Sequence, residues 1–427
     1  MGNIGQRLIP LLGLALLVAI AWALSHNRRR IPIRTVLWGF GLQLAFAILI
    51  LKTAPGQAVF AWLGGAFRQL IAFTDEGIAF VFGSGAEPVL LTEKIADVQY
   101  RVQLPLAFRA LPVIIFFASL MGILYHLGIM QRIVAAMAWL MRRTMRVSGA
   151  EALSAAGNVF LGMTESPLLI RPYVAGLTRS ELFAVMVGGL ATIAGSVMAV
   201  YVSFGITPEY LLCASVMSAP AALAIAKIME PETEEPATAG TVHVAFQRET
   251  RNVIDAAAAG AWDGLRLALN VAAMLIAFVA LLAMINYLLG ELSGGMASLG
   301  WHGWPRKLEH IFGWVFRPLA FLMGVPWGPA QAVGSVMGIG ISANEWIAYT
   351  QLGAMSYSGL LPPRAVAIGT FALCGFANFG SLGILIGGIG GLAPERRPDL
   401  SRLALRALVG GAIACYSTAA IAGMLLA

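Results

Sequence analysis

Charge is what this sequence has least of. Only 11% of its 427 residues are Asp, Glu, Lys or Arg, 59% are hydrophobic, and the mean hydropathy is +0.81. A soluble domain of ordinary composition is excluded, and a polytopic membrane protein is left. Short alternating segments are also missing. The apolar runs are long and continuous where barrel strands would be brief and two-periodic, so helices are the remaining way to span. The three cysteines, Cys213, Cys374 and Cys415, stand apart inside apolar stretches, which excludes a disulfide framework or zinc spacing and reads as packing. Five histidines show no ligand-like pairing, and no glycine-rich phosphate loop follows a strand, so no cofactor is expected. No small-residue processing site follows the first apolar run, which is expected to stay as an anchor.

The net charge of +7 and pI of 9.6 do not point to nucleic acid, because the arginines gather in short loops between apolar runs. Arg28, Arg29, Arg30 and Arg34 follow the run at residues 9–24 with no acid among them, which marks a cytoplasmic loop and puts the N-terminus outside. Further spans are expected at residues 36–51, 110–127, 182–203, 210–228, 267–289, from about 365, and from 403 to the end. That gives an all-α polytopic membrane protein of about eight transmembrane helices with both termini outside. Interfacial helices are expected over residues 53–103 and 129–147, the latter basic and amphipathic. The ten tryptophans suit interfacial belts. Residues 230–251, with Glu232, Glu234 and Glu235, read as a solvated linker.

Two stretches break this pattern. Around Glu165, an acid, an amide and a hydroxyl lie between apolar arms too short to cross, and Asn344-Glu345 sits in similar glycine-rich surroundings. Each reads as a re-entrant hairpin with a polar tip. Each is followed by a turn bearing arginine, Arg179 or Arg364, and by a span rich in small residues, which aligned on Gly189 and Gly375 sets Thr192 opposite Asn378. Two such units separated by one full span form an inverted repeat, the plan of a secondary transporter. The domains expected are residues 1–128 (scaffold spans), 129–228 (first transport repeat), 229–266 (polar loop and amphipathic segment), 267–290 (scaffold span) and 291–427 (second transport repeat).

Backbone that unwinds at mid-membrane is tolerated only where it lines a cavity or holds a ligand. Freed carbonyls with the side-chain oxygens of Asn158 and Thr192 suit a hard cation such as sodium, and buried carboxylates can accept from hydroxyls of a polar solute. The bland readings are a carboxylate satisfied at a helix N-terminus for Glu165, an ion pair for Glu345, interhelical hydrogen bonding for Asn378 and Ser381, and packing for Met163, Val197 and Phe376. Intramembrane acids favour the functional reading for the two glutamates.

The hairpin Gly162-Met163-Thr164-Glu165-Ser166-Pro167, the pair Asn344-Glu345 and the run Cys374-Gly375-Phe376-Ala377-Asn378-Phe379-Gly380-Ser381 together resemble the concentrative nucleoside transporter family, over nearly the whole chain. The resemblance implies a homotrimer in which a scaffold surrounds a mobile transport domain that moves like an elevator. It implies that Met163, Thr164, Glu165 and Val197 surround a nucleobase. Glu345, Asn378 and Ser381 would bind ribose hydroxyls, with Phe376 beside the sugar. Asn158, the Leu161 carbonyl, Thr192 and the Ile193 carbonyl would hold sodium. The expected function is nucleoside import driven by sodium through a bacterial inner membrane, with both termini periplasmic. The partners are nucleosides and the lipid bilayer. Two departures stand out, since many relatives carry glutamine at the position of Met163 and lysine at that of Gly340. Proton coupling through the unpaired Glu345 is the alternative, and an intramembrane enzyme on a lipid-linked substrate, with Glu165 as base, is the rival from another class.

Overall fold

The computed structural model describes residues 2–83, 89–92, 99–102, 106–109, 111–238, 250–299 and 303–426. The chain opens with α1 (Gly2–Ala23), α2 (Ile33–Lys52) and α3 (Ala54–Phe82), the last started by Thr53, whose hydroxyl accepts the Gly56 amide at 3.1 Å. Residues 53–103 therefore differ from the expected run of interfacial helices. One 29-residue helix is followed by β1 (Val89–Thr92) and β2 (Gln99–Val102), an antiparallel pair with Val89 opposite Val102. Both strand segments carry the β-branched and aromatic residues that favour extended backbone. Then come α4 (Leu106–Arg109) and α5 (Leu111–His126).

The next six elements form one unit: amphipathic α6 (Ile129–Met145), α7 (Gly149–Gly157), a 3-10 helix (Ser166–Gly176), α8 (Arg179–Leu190), α9 (Gly195–Ser203) and α10 (Pro208–Met229). The long α11 (Val253–Ser298) follows. A second unit repeats the order: amphipathic α12 (Leu308–Leu322), α13 (Trp327–Ser342), α14 (Glu345–Tyr357), α15 (Pro363–Ala372), α16 (Phe379–Leu392) and, after a short 3-10 turn at Pro394–Arg396, α17 (Arg397–Leu425).

Five of these elements are individually long and apolar enough to cross a bilayer, counting α8 with α9 as one, and two sharply bent pairs, α5–α6 at 77° and α12–α13 at 118°, pass as pairs. The bends fall at Gly128 and Gly324, whose φ values of 77° and 100° suit glycine. The eight expected spans all fall on helices, but α8–α9 and α15–α16 are each interrupted. At 46 residues, α11 is about 69 Å long at 1.5 Å per residue, well beyond the expected residues 267–290.

Two helices of the first unit start on well-made ends. Ser148 with Glu151, and Thr178 with Glu181, close reciprocal capping boxes at the bases of α7 and α8, each stabilising by about 1 kcal/mol. The segment after α10 passes beneath these ends. Thr238 donates to Glu181 and accepts the amides of Gly149 and Ala150. Lys227, 4% exposed, pairs with Glu151 and Glu232, and Glu230 pairs with Arg179 and Arg406. Of the acids in this run only Glu234 and Glu235 are exposed, so its start is a clamp and not a solvated linker.

Candidate functional site

Two interruptions set the site. Residues 191–194 separate α8 from α9, and residues 373–378 separate α15 from α16. The second is two residues longer, so measured from the ends of α8 and α15, Thr192 corresponds to Cys374 and the expected pairing of Thr192 with Asn378 is not kept. The interruptions cross in contact. A Cβ on Gly375 would lie 2.7 Å from the Leu190 carbonyl oxygen, which is why only glycine fits there. The Cys415 thiol of α17 donates at 3.5 Å to the carbonyls of both Ala191 and Cys374. Cys415 therefore does more than pack, since its thiol lies against carbonyls freed by the breaks, whereas the Cys374 thiol faces Ser215 and the Leu211 carbonyl of α10.

At the first hairpin, Asn158 caps the end of α7 and is 1% exposed, yet neither its Oδ1 nor its Nδ2 has a hydrogen-bond partner. It faces α8, with its Nδ2 3.2 Å from where a Gly188 Cβ would stand. Thr192, also 1% exposed, donates to the Gly188 carbonyl at 2.9 Å and keeps its oxygen lone pairs. Among the described residues no backbone amide bonds to the carbonyls of Leu161 or Ile193. A buried unpaired amide costs about 1–3 kcal/mol. Neutral oxygens of this kind suit a hard cation such as sodium.

The rest of that tip packs on α8 and α16. Met163 lies over Gly189, whose Cβ would approach its Cβ to 2.8 Å, and Thr164 lies over Gly388, whose Cβ would approach its Cγ2 to 2.8 Å. Glu165 is exposed, and its Oε2 accepts the Gly162 amide at 3.2 Å, so backbone satisfies it in part. Tyr125 of α5 and Asp263 of α11 lie within electrostatic range of it. Neither is singled out by sequence, because each is a lone polar residue on a long span. Val197 is buried in the first turns of α9.

The second tip is tighter, with only residues 343–344 between α13 and α14. Asn344 caps α14 by accepting the Ile347 amide at 3.0 Å, which fixes Glu345 as the first helical residue. Glu345 is 4% exposed and accepts from Asn378 Nδ2 at 2.7 Å and Tyr201 Oη at 3.1 Å. The expected alternative, an ion pair, is absent among the described residues. Asn378 also caps α16 through Oδ1 to the Ser381 amide at 2.8 Å, which joins Glu345, Asn378 and Ser381 in one chain of contacts. Phe376 sits in the break, where its carbonyl accepts the Asn378 amide at 2.9 Å.

Tyr201 was not legible as a site residue. It comes from α9 of the first repeat, stacks on Tyr349 at 4.2 Å between ring centroids and meets Trp346 edge-on at 5.5 Å. A cavity of about 20 Å³, lined by Gly340, Glu345 and Tyr416 among others, lies beside the carboxylate. That is room for about one water.

The chain resembles known proteins in both sequence and fold. The chain matches the family models "Na+ dependent nucleoside transporter C-terminus" over residues 210–423, "Na+ dependent nucleoside transporter N-terminus" over 12–85 and "Nucleoside recognition" over 107–208. It is 45% identical over 417 residues to the transporter YutK of Bacillus subtilis (strain 168), covering 97% of this chain and 98% of YutK. It is 42% identical over 434 residues to sodium/nucleoside cotransporter 2 of Rattus norvegicus, covering 98% of this chain but 63% of that longer protein. Its structure resembles CNTnw in an inward-facing substrate-bound state, with a TM-score of 0.88 at 40% identity and 98% coverage of both chains. A doubly substituted CNTnw in an outward-facing state gives the same TM-score at 41% identity, covering 98% and 97%. These relatives are transporters, which sets aside the intramembrane enzyme. With a family model covering half its length and near-complete alignment to such relatives, the chain belongs to the sodium-dependent nucleoside transporter family.

Proposed function

We propose that this protein imports nucleosides together with sodium. The observation that carries the reading is the unfilled polar demand at the two hairpin tips: Asn158 has no partner, and Glu345 holds only neutral donors. Sodium sits among Asn158, Thr192 and the Leu161 and Ile193 carbonyls. Ribose hydroxyls displace the Asn378–Glu345 contact and bond to Glu345, Asn378 and Ser381, with Phe376 against the sugar. The base lies toward Met163, Thr164, Glu165 and Val197. The helix α16 links the two halves, since Ser381 and the Thr164-contacting Gly388 are seven residues, about 10 Å, apart along it, which suits a nucleoside. Met163 offers the base no amide to read.

One sodium charge falling through about 100 mV supplies roughly 2.3 kcal/mol. A tenfold sodium gradient adds about 1.4 kcal/mol, so accumulation reaches several hundredfold at most. The moving part comprises the repeats at residues 129–228 and 291–427, and residues 229–266, a polar segment and the start of α11, lead from the first repeat into the scaffold span. Residues 1–128 and 267–290 supply the scaffold, and the motion is elevator-like. The protein works as a trimer in a bacterial inner membrane, with both termini periplasmic.

Uptake of tritiated uridine and adenosine into proteoliposomes, with and without an inward sodium gradient, tests this; signals equal to those of empty vesicles overturn it. The neutral surroundings of Glu345 favour a second reading, proton coupling, and uptake across a pH series at fixed sodium separates the two.

A further inference from the structure

A second cleft, of about 460 Å³, opens between α12, α13 and α14, away from the hairpin tips. Its volume is that of a small-ligand site. Lys307, Glu309 and His310 line it from the start of α12, Gln331 and Ser335 from α13, and Gln351 from α14. Glu309 is engaged, accepting from Asn286 of α11 at 3.0 Å. Among the described residues the other five side chains have no hydrogen-bond or ion-pair partner. Ser335 is the telling member, because it is only 8% exposed and faces the cleft unpaired. Its hydroxyl has no protein partner and opens on the cleft, so it is free to bond a ligand there.

The surroundings say what kind of ligand. Lys307 brings a positive charge and the N-terminus of the 15-residue α12 the positive end of a helix dipole, while the Glu309 carboxylate in that first turn is held toward Asn286 of α11. Trp304, Trp314 and Trp327 are each 42–52% exposed on α12 and its flanks, and the Arg317 guanidinium stacks 4.2 Å over the Trp327 ring. Exposed tryptophan with arginine marks the headgroup level of a bilayer, and an amphipathic helix such as α12 lies there. A nucleoside carries no charge to match the cationic end.

We propose that this cleft binds the headgroup of an anionic, hydroxyl-bearing phospholipid. The phosphate sits against Lys307, His310 and the start of α12. The headgroup hydroxyls reach Gln331, Ser335 and Gln351, and the acyl chains follow the exposed apolar side of α12. An occupant touches both arms of the second hairpin and the helix before it. Gln351 is six residues beyond Glu345, about 9 Å along α14, so a bound lipid braces the arms of the hairpin and not its tip.

Native mass spectrometry of the purified protein tests the assignment without reference to transport. The probes are dioleoylphosphatidylglycerol, dioleoylphosphatidylcholine and glycerol 3-phosphate, on the wild type, on a Lys307→Gln/His310→Gln double variant and on Ser335→Val. Saturable phosphatidylglycerol adducts are expected, favoured about tenfold over phosphatidylcholine, or about 1.4 kcal/mol. Occupancy is expected to fall by a similar factor in both variants while the unfolding midpoint without lipid is unchanged. Equal occupancy in the double variant, or equal binding of phosphatidylcholine, overturns the proposal. Competition by glycerol 3-phosphate at lipid-equivalent concentrations also overturns it, by assigning the cleft to a soluble solute. Should Ser335→Val not fold, Gln351→Ala takes its place with the same expected loss.

Discussion

Single side chains in this protein carry demands that the fold alone does not meet, and two of them make direct predictions. Glu345→Gln keeps the shape of the Asn378 and Tyr201 contacts but removes the charge. A hydrogen bond to a charged group is worth about 1.5–3 kcal/mol, so half-saturation of uridine uptake is expected to rise about 10–100-fold. Unchanged affinity, read from concentration-dependent uptake, would show that the ribose lies elsewhere. Asn158→Ala removes an amide with no partner, so stability without sodium is expected to hold or to rise by up to about 1–3 kcal/mol. What it should lose is the sodium-dependent rise in melting midpoint that ligand linkage gives the wild type, with choline as control. A rise equal to that of the wild type would remove Asn158 from the cation site. At this scale the sequence was informative about which residues are polar inside the membrane and silent about their partners. Tyr201 reaches Glu345 across 144 positions of chain, and nothing local to Val200-Tyr201-Val202 signals that.

Elements were legible where local chemistry decides them. Asn344 before Glu345 and Asn378 before Phe379 announce helix starts, and the small residues near Gly195 and Gly375 announce the breaks. The clamp beneath the first hairpin was hidden, because it depends on Lys227 meeting Glu151 from a distant part of the chain. Its acids read locally as a solvated run. Removing one member of a buried charge pair costs about 3–5 kcal/mol, so Lys227→Met is expected to lower stability by that much in heat or denaturant unfolding in detergent. Adding Glu151→Gln, which leaves no stranded charge at that position, is expected to restore part of the loss. Full additivity of the two changes would mean that the contact carries no energy. The β-ribbon and the full length of α11 were also missed. Periodicity marks an apolar stretch, but a helix continuing past it into polar residues is set by capping, here by Asn252 accepting the Asp255 amide at 2.8 Å.

The whole molecule shows a duplicated plan whose two copies are unequal in detail, which is why a residue-by-residue alignment of the breaks failed while the order of elements held. One helix stands outside the plan. Almost none of the most apolar stretch of α11 is buried within the chain, although it packs closely on α5. Lipid or other subunits must cover the rest, and we expect light scattering of the purified protein, corrected for detergent, to give three times the 45.1 kDa chain mass. A monomer mass would refute the trimer. The crossing of the two breaks has a consequence for energetics. Because one thiol, that of Cys415, touches a carbonyl from each, an occupant that fixes either break lowers the ordering cost of fixing the other. Such help is mutual by thermodynamic necessity: whatever factor the cation contributes to nucleoside affinity, the nucleoside returns to the cation. In the proposed cycle, cooperativity between cargo and fuel would then run through a single sulfur atom's two neighbours.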